Sequence, residues 1–141
     1  MNKWILAALL SLSSGLSIAE ILVKDVTIRE MLPGRSMTAG YFSLSNQNSL
    51  DTELVAASSP HFGSIELHQH THKDGMMKME QVQSVKVGAG KDVVFQPGGL
   101  HLMLFDAKAP VSTGQQIPLR LEFKDGHIIE VQAKVSAIPT H

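Results

Sequence analysis

The sequence predicts a single all-β domain, a Greek-key β-sandwich or barrel. Short runs of apolar and β-branched residues recur along the chain, and no stretch keeps a helical period for three turns. Turn-forming residues separate these runs at regular intervals, for example at residues 73–75, 97–99 and 124–126. Such punctuation is typical of two packed sheets or of a closed barrel.

Ten runs are predicted as strands, and they cover residues 21–28, 39–45, 54–58, 64–68, 77–82, 85–87, 92–95, 101–105, 117–123 and 128–135. The last two form the clearest hairpin, because Asp125-Gly126 between them suits a tight antiparallel turn. We interpret residues 88–90 as another hairpin turn, since Gly88-Ala89-Gly90-Lys91 lacks the full phosphate-loop spacing and no predicted helix follows.

Residues 1–19 have the layout of a secretory signal peptide. The charge of Lys3 precedes a short apolar stretch, and the small residues Ser17 and Ala19 suit cleavage after Ala19. The apolar stretch is shorter than the about 20 residues that a membrane span needs, and an uncleaved anchor is the alternative. We therefore expect a periplasmic, monomeric domain of residues 20–141 with no membrane span in the mature chain.

The composition of this mature chain excludes several classes of partner. Once Lys3 is removed, 11 Lys and Arg stand against 13 Asp and Glu without a basic run, which argues against nucleic acid. Tyr41 is the sole remaining Tyr or Trp, so an aromatic stacking platform is not expected. Because the chain has no Cys, a site for a soft metal must use Met thioether and His imidazole.

His and Met residues cluster in two places. Three His and three Met lie within residues 68–79, and His101 and Met103 stand two apart. Residues two apart in a strand point to the same face, so His101 and Met103 should project together while the alternating leucines face the core. The same alternation puts His68 outward, and the following turn is expected to fold Met79 back beside it.

Two Met and two His together favour Cu(I). This soft ion accepts thioether sulfur and imidazole nitrogen, whereas Ca(II) and Mg(II) require oxygen donors. Only the imidazoles compete with protons for the metal, so binding should weaken on acidification. Without thiolate the ion should be held less strongly than in a Cys site, which suits delivery to a partner better than storage.

Plainer interpretations remain open for each of these residues. Met103 alone also suits a core position and His101 a surface position. Residues 68–72 are also interpreted as a solvated polar loop or a weak Cu(II) or Zn(II) site. Met76 and Met77 are alternatives to Met79, or the three form a hydrophobic plug. Spacing alone does not choose among them.

The spacing of these donors resembles the ligand signature of the PCuAC periplasmic copper chaperones. His68 is followed after ten residues by Met79, and Met79 after twenty-one residues by His101-Leu102-Met103. The likeness extends over essentially the mature chain, through Gly40-Tyr41-Phe42 to Asn46, Gly75-Met76-Met77-Lys78-Met79, Pro97-Gly98-Gly99-Leu100 and Phe123-Lys124-Asp125-Gly126.

The resemblance implies a cupredoxin-like β-sandwich in which His68, Met79, His101 and Met103 hold one Cu(I) ion at the surface. It also implies delivery to the dinuclear copper centre of cytochrome c oxidase subunit II, alone or with a thioredoxin-like copper chaperone. The chain departs from the family at Gln69, where many members have Met or Glu. It departs again in its short tail ending at His141, which leaves His70 and His72 as the other obvious nitrogen donors.

Two other functions compete with a carrier. The first is a periplasmic copper buffer or resistance protein without a dedicated recipient. The second is a copper enzyme, which is disfavoured because four protein donors fill a tetrahedral site and a catalytic metal keeps an exchangeable position. The nearby carboxylates Glu66, Asp74 and Glu80 are expected to be solvated, so no general base is evident and we predict no enzymatic activity.

Overall fold

The computed structural model describes residues 20–137, so the predicted signal peptide and residues 138–141 lie outside the described part. All regular structure in that part is β, which confirms the predicted fold class. The strands are β1 (Ile21–Arg29), β2 (Met37–Asn46), β3 (Thr52–Ser58), β4 (Phe62–Lys73), β5 (Met76–Gln81), β6 (Val85–Val87), β7 (Asp92–Phe95), β8 (Leu100–Ala107), β9 (Gln116–Phe123) and β10 (Ile128–Ser136). Within residues 20–137, no helix is both long and apolar enough to cross a membrane.

The ten strands form one hydrogen-bonded sheet whose inward faces share a single core. The strand order is β5-β4-β8-β7-β2-β1-β10-β9-β3-β6, with a further pairing between β8 and β2. Every strand except β5 contributes a buried apolar side chain to this core. Strand β5 therefore lies at one edge of the sheet, outside the packed interior.

Strand β9 shows how the sequence pattern builds the core. Ile117, Leu119, Leu121 and Phe123 are buried, while the residues between them are exposed. This period of two is what a strand with one solvated face requires. Burying each such side chain contributes roughly 1.5–3 kcal/mol relative to exposure. The predicted hairpin of β9 with β10 is confirmed by an antiparallel ladder from Ile128 to Lys134.

All ten predicted strands are present, and their ends differ from the prediction by at most two residues except in β4. That strand continues to Lys73, so the interpretation of residues 68–72 as a polar loop is wrong. The segment is a strand because it pairs with β5 over six positions, from His68 opposite Gln81 to Lys73 opposite Met76.

The interpretation of residues 88–90 as a hairpin turn is also wrong. Strands β6 and β7 do not pair with each other; β6 pairs with β3 and β7 with β2. The buried Asn46 side chain instead stabilises the connection between β6 and β7, because its amide donates hydrogen bonds to the carbonyls of Leu50, Val87 and Gly88. The Asn46 side chain thus supplies hydrogen bonds to backbone carbonyls that a hairpin ladder would otherwise supply.

The turn between β4 and β5 sets the register of the site described below. Asp74 and Gly75 both have positive φ, 53° and 74°. This combination defines the two-residue turn whose twist matches the flanking strands, and Asp-Gly is a favoured sequence for it. The register that follows places His70 opposite Met79 and His72 opposite Met77.

Candidate metal centre

Strands β5, β4 and β8 are adjacent and present one face that carries all four predicted ligands. In β8, Leu102 and Leu104 are fully buried in the core, so His101 and Met103 project from the other side as predicted. His101 lies directly opposite His68, and Met103 lies opposite Glu66. Directly opposed residues share a face of the sheet, so His68 points to the same side.

His101 is not the surface residue that the sequence suggested. Its exposed fraction is only 3%, because the neighbouring imidazoles cover it. The ring of His70 stacks on His101 with centroids 4.9 Å apart, and the ring of His68 lies 5.7 Å away. The interpretation of His101 as an ordinary solvated histidine is therefore wrong, and the expected exposed site is partly enclosed.

Burial keeps His101 in its neutral form. It lowers the pKa of this imidazole below its ordinary value. The hydrogen bond to the Gly99 carbonyl raises this pKa, whereas the charges of His70, His68 and Arg29 lower it further. That carbonyl is only an acceptor, so Nδ1 of His101 donates to it over 3.2 Å. The lone pair of Nε2 is consequently available to a metal.

Hydrogen bonding selects the opposite nitrogen in His68. Its Nε2 donates to the Glu66 carboxylate over 2.7 Å, which leaves the lone pair on Nδ1. This Nδ1 atom is buried and has no hydrogen-bond partner among the described residues. A carboxylate that orients an imidazole in this way is the usual outer partner of a metal-binding histidine. The lone pair of His68 Nδ1 is thus available to a metal.

The two thioethers flank His68 on opposite sides. Met103 is half-buried on β8, and Met79 is 48% exposed on β5, each diagonal to His68 on its own neighbouring strand. Diagonal neighbours lie roughly 7–8 Å apart. Met79 and Met103 are separated by two strand spacings and four residues along β4, which is roughly 16 Å on a flat sheet.

The alternative donors near Met79 are separated by their faces. Met76 lies opposite Lys73, on the face away from His68, whereas Met77 lies opposite His72 on the same face as His68. Met76 and Met77 are 72% and 60% exposed. The interpretation of Met76, Met77 and Met79 as a buried hydrophobic plug is therefore wrong.

The structure also brings two residues to this face that were not predicted as part of the site. Glu66 was expected to be a solvated carboxylate beside a turn, but it lies within β4 and binds His68. The sequence offers His70 only as a further nitrogen donor, but His70 stacks on His101, and its Nδ1 is buried without a hydrogen-bond partner in the described part. Their spacing of two from His68 was the available signal, once the strand is extended beyond His68.

Arg29 and Tyr41 add positive charge and a phenol near the site. The Arg29 guanidinium lies over the Tyr41 ring, 5.2 Å from its centroid. Burial raises the pKa of the Tyr41 phenol above its ordinary value, although the charge of Arg29 opposes this. Tyr41 therefore remains protonated at neutral pH and does not supply an anionic oxygen donor.

The donor chemistry of the face is soft. Within residues 20–137, no group of three or more His, Asp or Glu side chains is arranged to hold a metal without thioether donors. Imidazole and thioether together suit Cu(I) better than a cation that prefers oxygen. The fold and this donor set define a β-sandwich domain with a candidate soft-metal centre on one sheet face.

The chain belongs to the LpqE-like family, described as "Putative lipoprotein LpqE-like", which it matches over residues 21–135. It is 35% identical over 103 residues to the "Putative lipoprotein Lxx21020" of Leifsonia xyli, covering 72% of this chain and 62% of that protein. It is 34% identical over 102 residues to the uncharacterized protein RP573 of Rickettsia prowazekii, covering 72% and 56%. The chain thus spans about three fifths of the length of these curated relatives.

Solved structures share the fold. The apo PCuAC domain from PmoF1 superposes with a TM-score of 0.72 at 21% identity, covering 84% of this chain and 94% of that domain, which shows a likeness of fold. The solution structure of Cu(I)-bound DR1885 from Deinococcus radiodurans superposes with a TM-score of 0.71 at 30% identity, covering 85% and 81%. The predicted cupredoxin-like β-sandwich is confirmed by these PCuAC neighbours.

Proposed function

We propose that this protein binds one Cu(I) ion through His68, Met79, His101 and Met103 and delivers it to another protein. The observation that carries the proposal is the directly opposed pair of His68 and His101. Each imidazole uses one nitrogen in a hydrogen bond and has the other available, and Met103 stands two residues from His101 on the same face. The Cu(I)-bound state of DR1885, a relative at 30% identity, supports copper as the cargo.

The fourth donor, Met79, completes the site by a movement of the hairpin arm. Strand β5 is an edge strand with all six residues exposed and no buried contact to the core. An arm of this kind bends at low cost in free energy, because few apolar contacts hold it. Bending toward β8 brings Met79 over the His68 and His101 rings, and bending away opens the site again.

This arrangement favours transfer over storage. Thioether and imidazole donors are neutral and exchange more readily than thiolates, which select soft metals more strongly. An acceptor richer in soft donors can therefore remove the ion. The resemblance to PCuAC chaperones gives the destination that we propose, the dinuclear copper centre of cytochrome c oxidase subunit II, reached directly or through a thioredoxin-like copper chaperone.

The compartment that we propose is the periplasm. The leader-like residues 1–19 and the lipoprotein description of the family both support export. In that compartment the protein acts as a monomeric carrier and not as an enzyme, because four protein donors leave no exchangeable position at the ion for a substrate.

An anaerobic Cu(I) titration of the purified protein against a chromophoric Cu(I) chelator tests the binding step. We expect one tightly bound equivalent whose affinity falls between pH 7.5 and pH 5.5, since protons compete for both imidazoles. Absence of tight Cu(I) binding, or binding of Cu(II) or Zn(II) alone, would overturn the proposal.

Mixing the loaded protein with a soluble copper-binding domain of oxidase subunit II tests delivery. We expect the copper to appear on the acceptor, and we expect a deletion strain to have reduced oxidase activity. Normal oxidase with increased copper sensitivity in that strain would replace the carrier with the copper buffer.

A further inference from the structure

The geometry points to a second, outer Cu(I) site on the β4–β5 hairpin, formed by His70, His72 and Met77, through which copper reaches the inner site. The hairpin register carries this inference. His72 lies directly opposite Met77 and His70 directly opposite Met79. Directly opposed side chains have Cβ atoms about 4.5–5.5 Å apart on one face, so each pair offers one nitrogen and one sulfur at short range.

The position of these pairs makes them the first donors that an incoming ion meets. Strand β8 begins at Leu100, opposite Gln69, and the Gly99 carbonyl accepts the amide of His70. Beyond His70 the hairpin has β8 on neither side and extends as a two-stranded arm. His72 and Met77 near its tip are exposed, whereas His101 is buried.

His70 connects the outer donors with the inner site. On one side it is opposed to Met79, and on the other its ring stacks on His101 with centroids 4.9 Å apart. Its Nδ1 atom is buried and makes no hydrogen bond to the described residues. A buried nitrogen without a partner is unfavourable and requires an explanation, and donation of its lone pair to a metal ion supplies one.

Transfer along this face is a sequence of ligand exchanges. The ion remains Cu(I) throughout, and every incoming and outgoing donor is a neutral imidazole or thioether, so no electron or proton has to be supplied. Met79 is the shared donor, because it neighbours Met77 along β5 and completes the inner site in the proposed function. Copper bound by His70, His72 and Met77 thus exchanges His72 and Met77 for Met79, and then exchanges His70 for His68, His101 and Met103.

The inference rests on the proposed function, and one set of titrations separates the two. In anaerobic Cu(I) titrations, the wild-type protein should bind one tight equivalent and then a weaker second one. The double variant His72→Ala, Met77→Ala should keep the tight equivalent with unchanged affinity and lose the second. In stopped-flow loading from a Cu(I)–chelator complex, this variant should also fill the tight site more slowly.

A matched control lies on the other face of the same arm. Thr71 and Lys78 are directly opposed, and neither offers a soft donor, so Thr71→Ala, Lys78→Ala should bind and load like wild type. Loading that slows in this control as much as in His72→Ala, Met77→Ala would overturn the outer site. The outer site would also be overturned if the wild-type protein bound only one equivalent, or if the second equivalent survived in His72→Ala, Met77→Ala. Absence of the tight equivalent in wild type would instead overturn the proposed function.

Discussion

Removing the Glu66 carboxylate should weaken Cu(I) binding without removing a ligand. Glu66 accepts the hydrogen bond from Nε2 of His68 over 2.7 Å and thereby keeps the lone pair on Nδ1. In Glu66→Ala the ring loses its orientation, and the tautomer that presents Nδ1 to the metal is no longer selected. The Cu(I) ion then has to bind a histidine that is free to rotate and to exchange its proton between nitrogens.

The size of the effect follows from the surroundings of the pair. Loss of an outer hydrogen-bond partner typically lowers metal affinity 10–100-fold. The Glu66 side chain is 37% exposed and that of His68 14% exposed, so water replaces part of the lost interaction. We therefore expect a loss near the lower limit, about tenfold in Kd, or about 1.4 kcal/mol. Glu66→Gln retains an acceptor oxygen and should lose less.

The assay is an anaerobic Cu(I) competition titration at pH 7.5 with Glu80→Ala as the control. Glu80 lies opposite Gln69, on the other face of the hairpin, and pairs with Lys78 at 3.9 Å. Its removal changes the net charge by the same amount without touching His68. Equal affinities for wild type, Glu66→Ala and Glu80→Ala would refute the role of Glu66, and equal losses in both variants would reduce it to a general charge effect.

Three further predictions concern β8. Met103→Leu keeps the side-chain volume and removes the sulfur, so Cu(I) affinity should fall in titrations while the melting temperature stays near that of wild type; unchanged affinity would remove Met103 from the site. Burial lowers the pKa of His101 in the folded state, so on acidification the unfolded chain takes up a proton at His101 before the folded protein does. The copper-free protein should therefore lose stability as pH falls below about 6.5, by at most about 1.4 kcal/mol per pH unit, until the folded-state pKa is passed. Urea unfolding at pH 7.5 to 5 measures this slope, and His101→Asn should reduce it; an identical slope in that variant would contradict the assignment. Leu102→Ala opens a cavity at a fully buried position and should cost about 2–5 kcal/mol in urea unfolding; a loss below 1 kcal/mol would show that the core beneath the site is not tightly packed.

Most of the fold was predictable because every strand except β5 buries apolar side chains from one face. In β8 and β9 the buried leucines recur at every second residue, and this period of two predicts both the strand and its buried face. The pattern fails in residues 69–73, because this arm extends beyond the core and neither of its faces is apolar. Its strand structure depends on pairing with β5, and the residue types in this segment alone do not predict that pairing. The connection through Asn46 was missed for a similar reason, since its partners lie 41 and 42 residues away.

The candidate site was predictable in its donors and less so in its surroundings. The alternation around His101 predicts its face, but the burial of that ring comes from His70 and His68 on the neighbouring strand. The bond between Glu66 and His68 depends on side-chain orientation within β4, which spacing alone does not specify. Sequence therefore identifies the soft donors, whereas the choice of nitrogen on each histidine emerges only from the folded contacts.

The two-residue turn at Asp74-Gly75 limits how this hairpin can change during evolution. With that turn and ladder retained, His68 and Met79 share a face because an even number of residues, ten, separates them. One residue inserted into β5 before Met79 would reverse the face of that thioether, whereas two inserted residues would restore it. Length variation in related hairpins should accordingly occur in steps of two, and a homologue with odd spacing should carry either a bulge or a different donor.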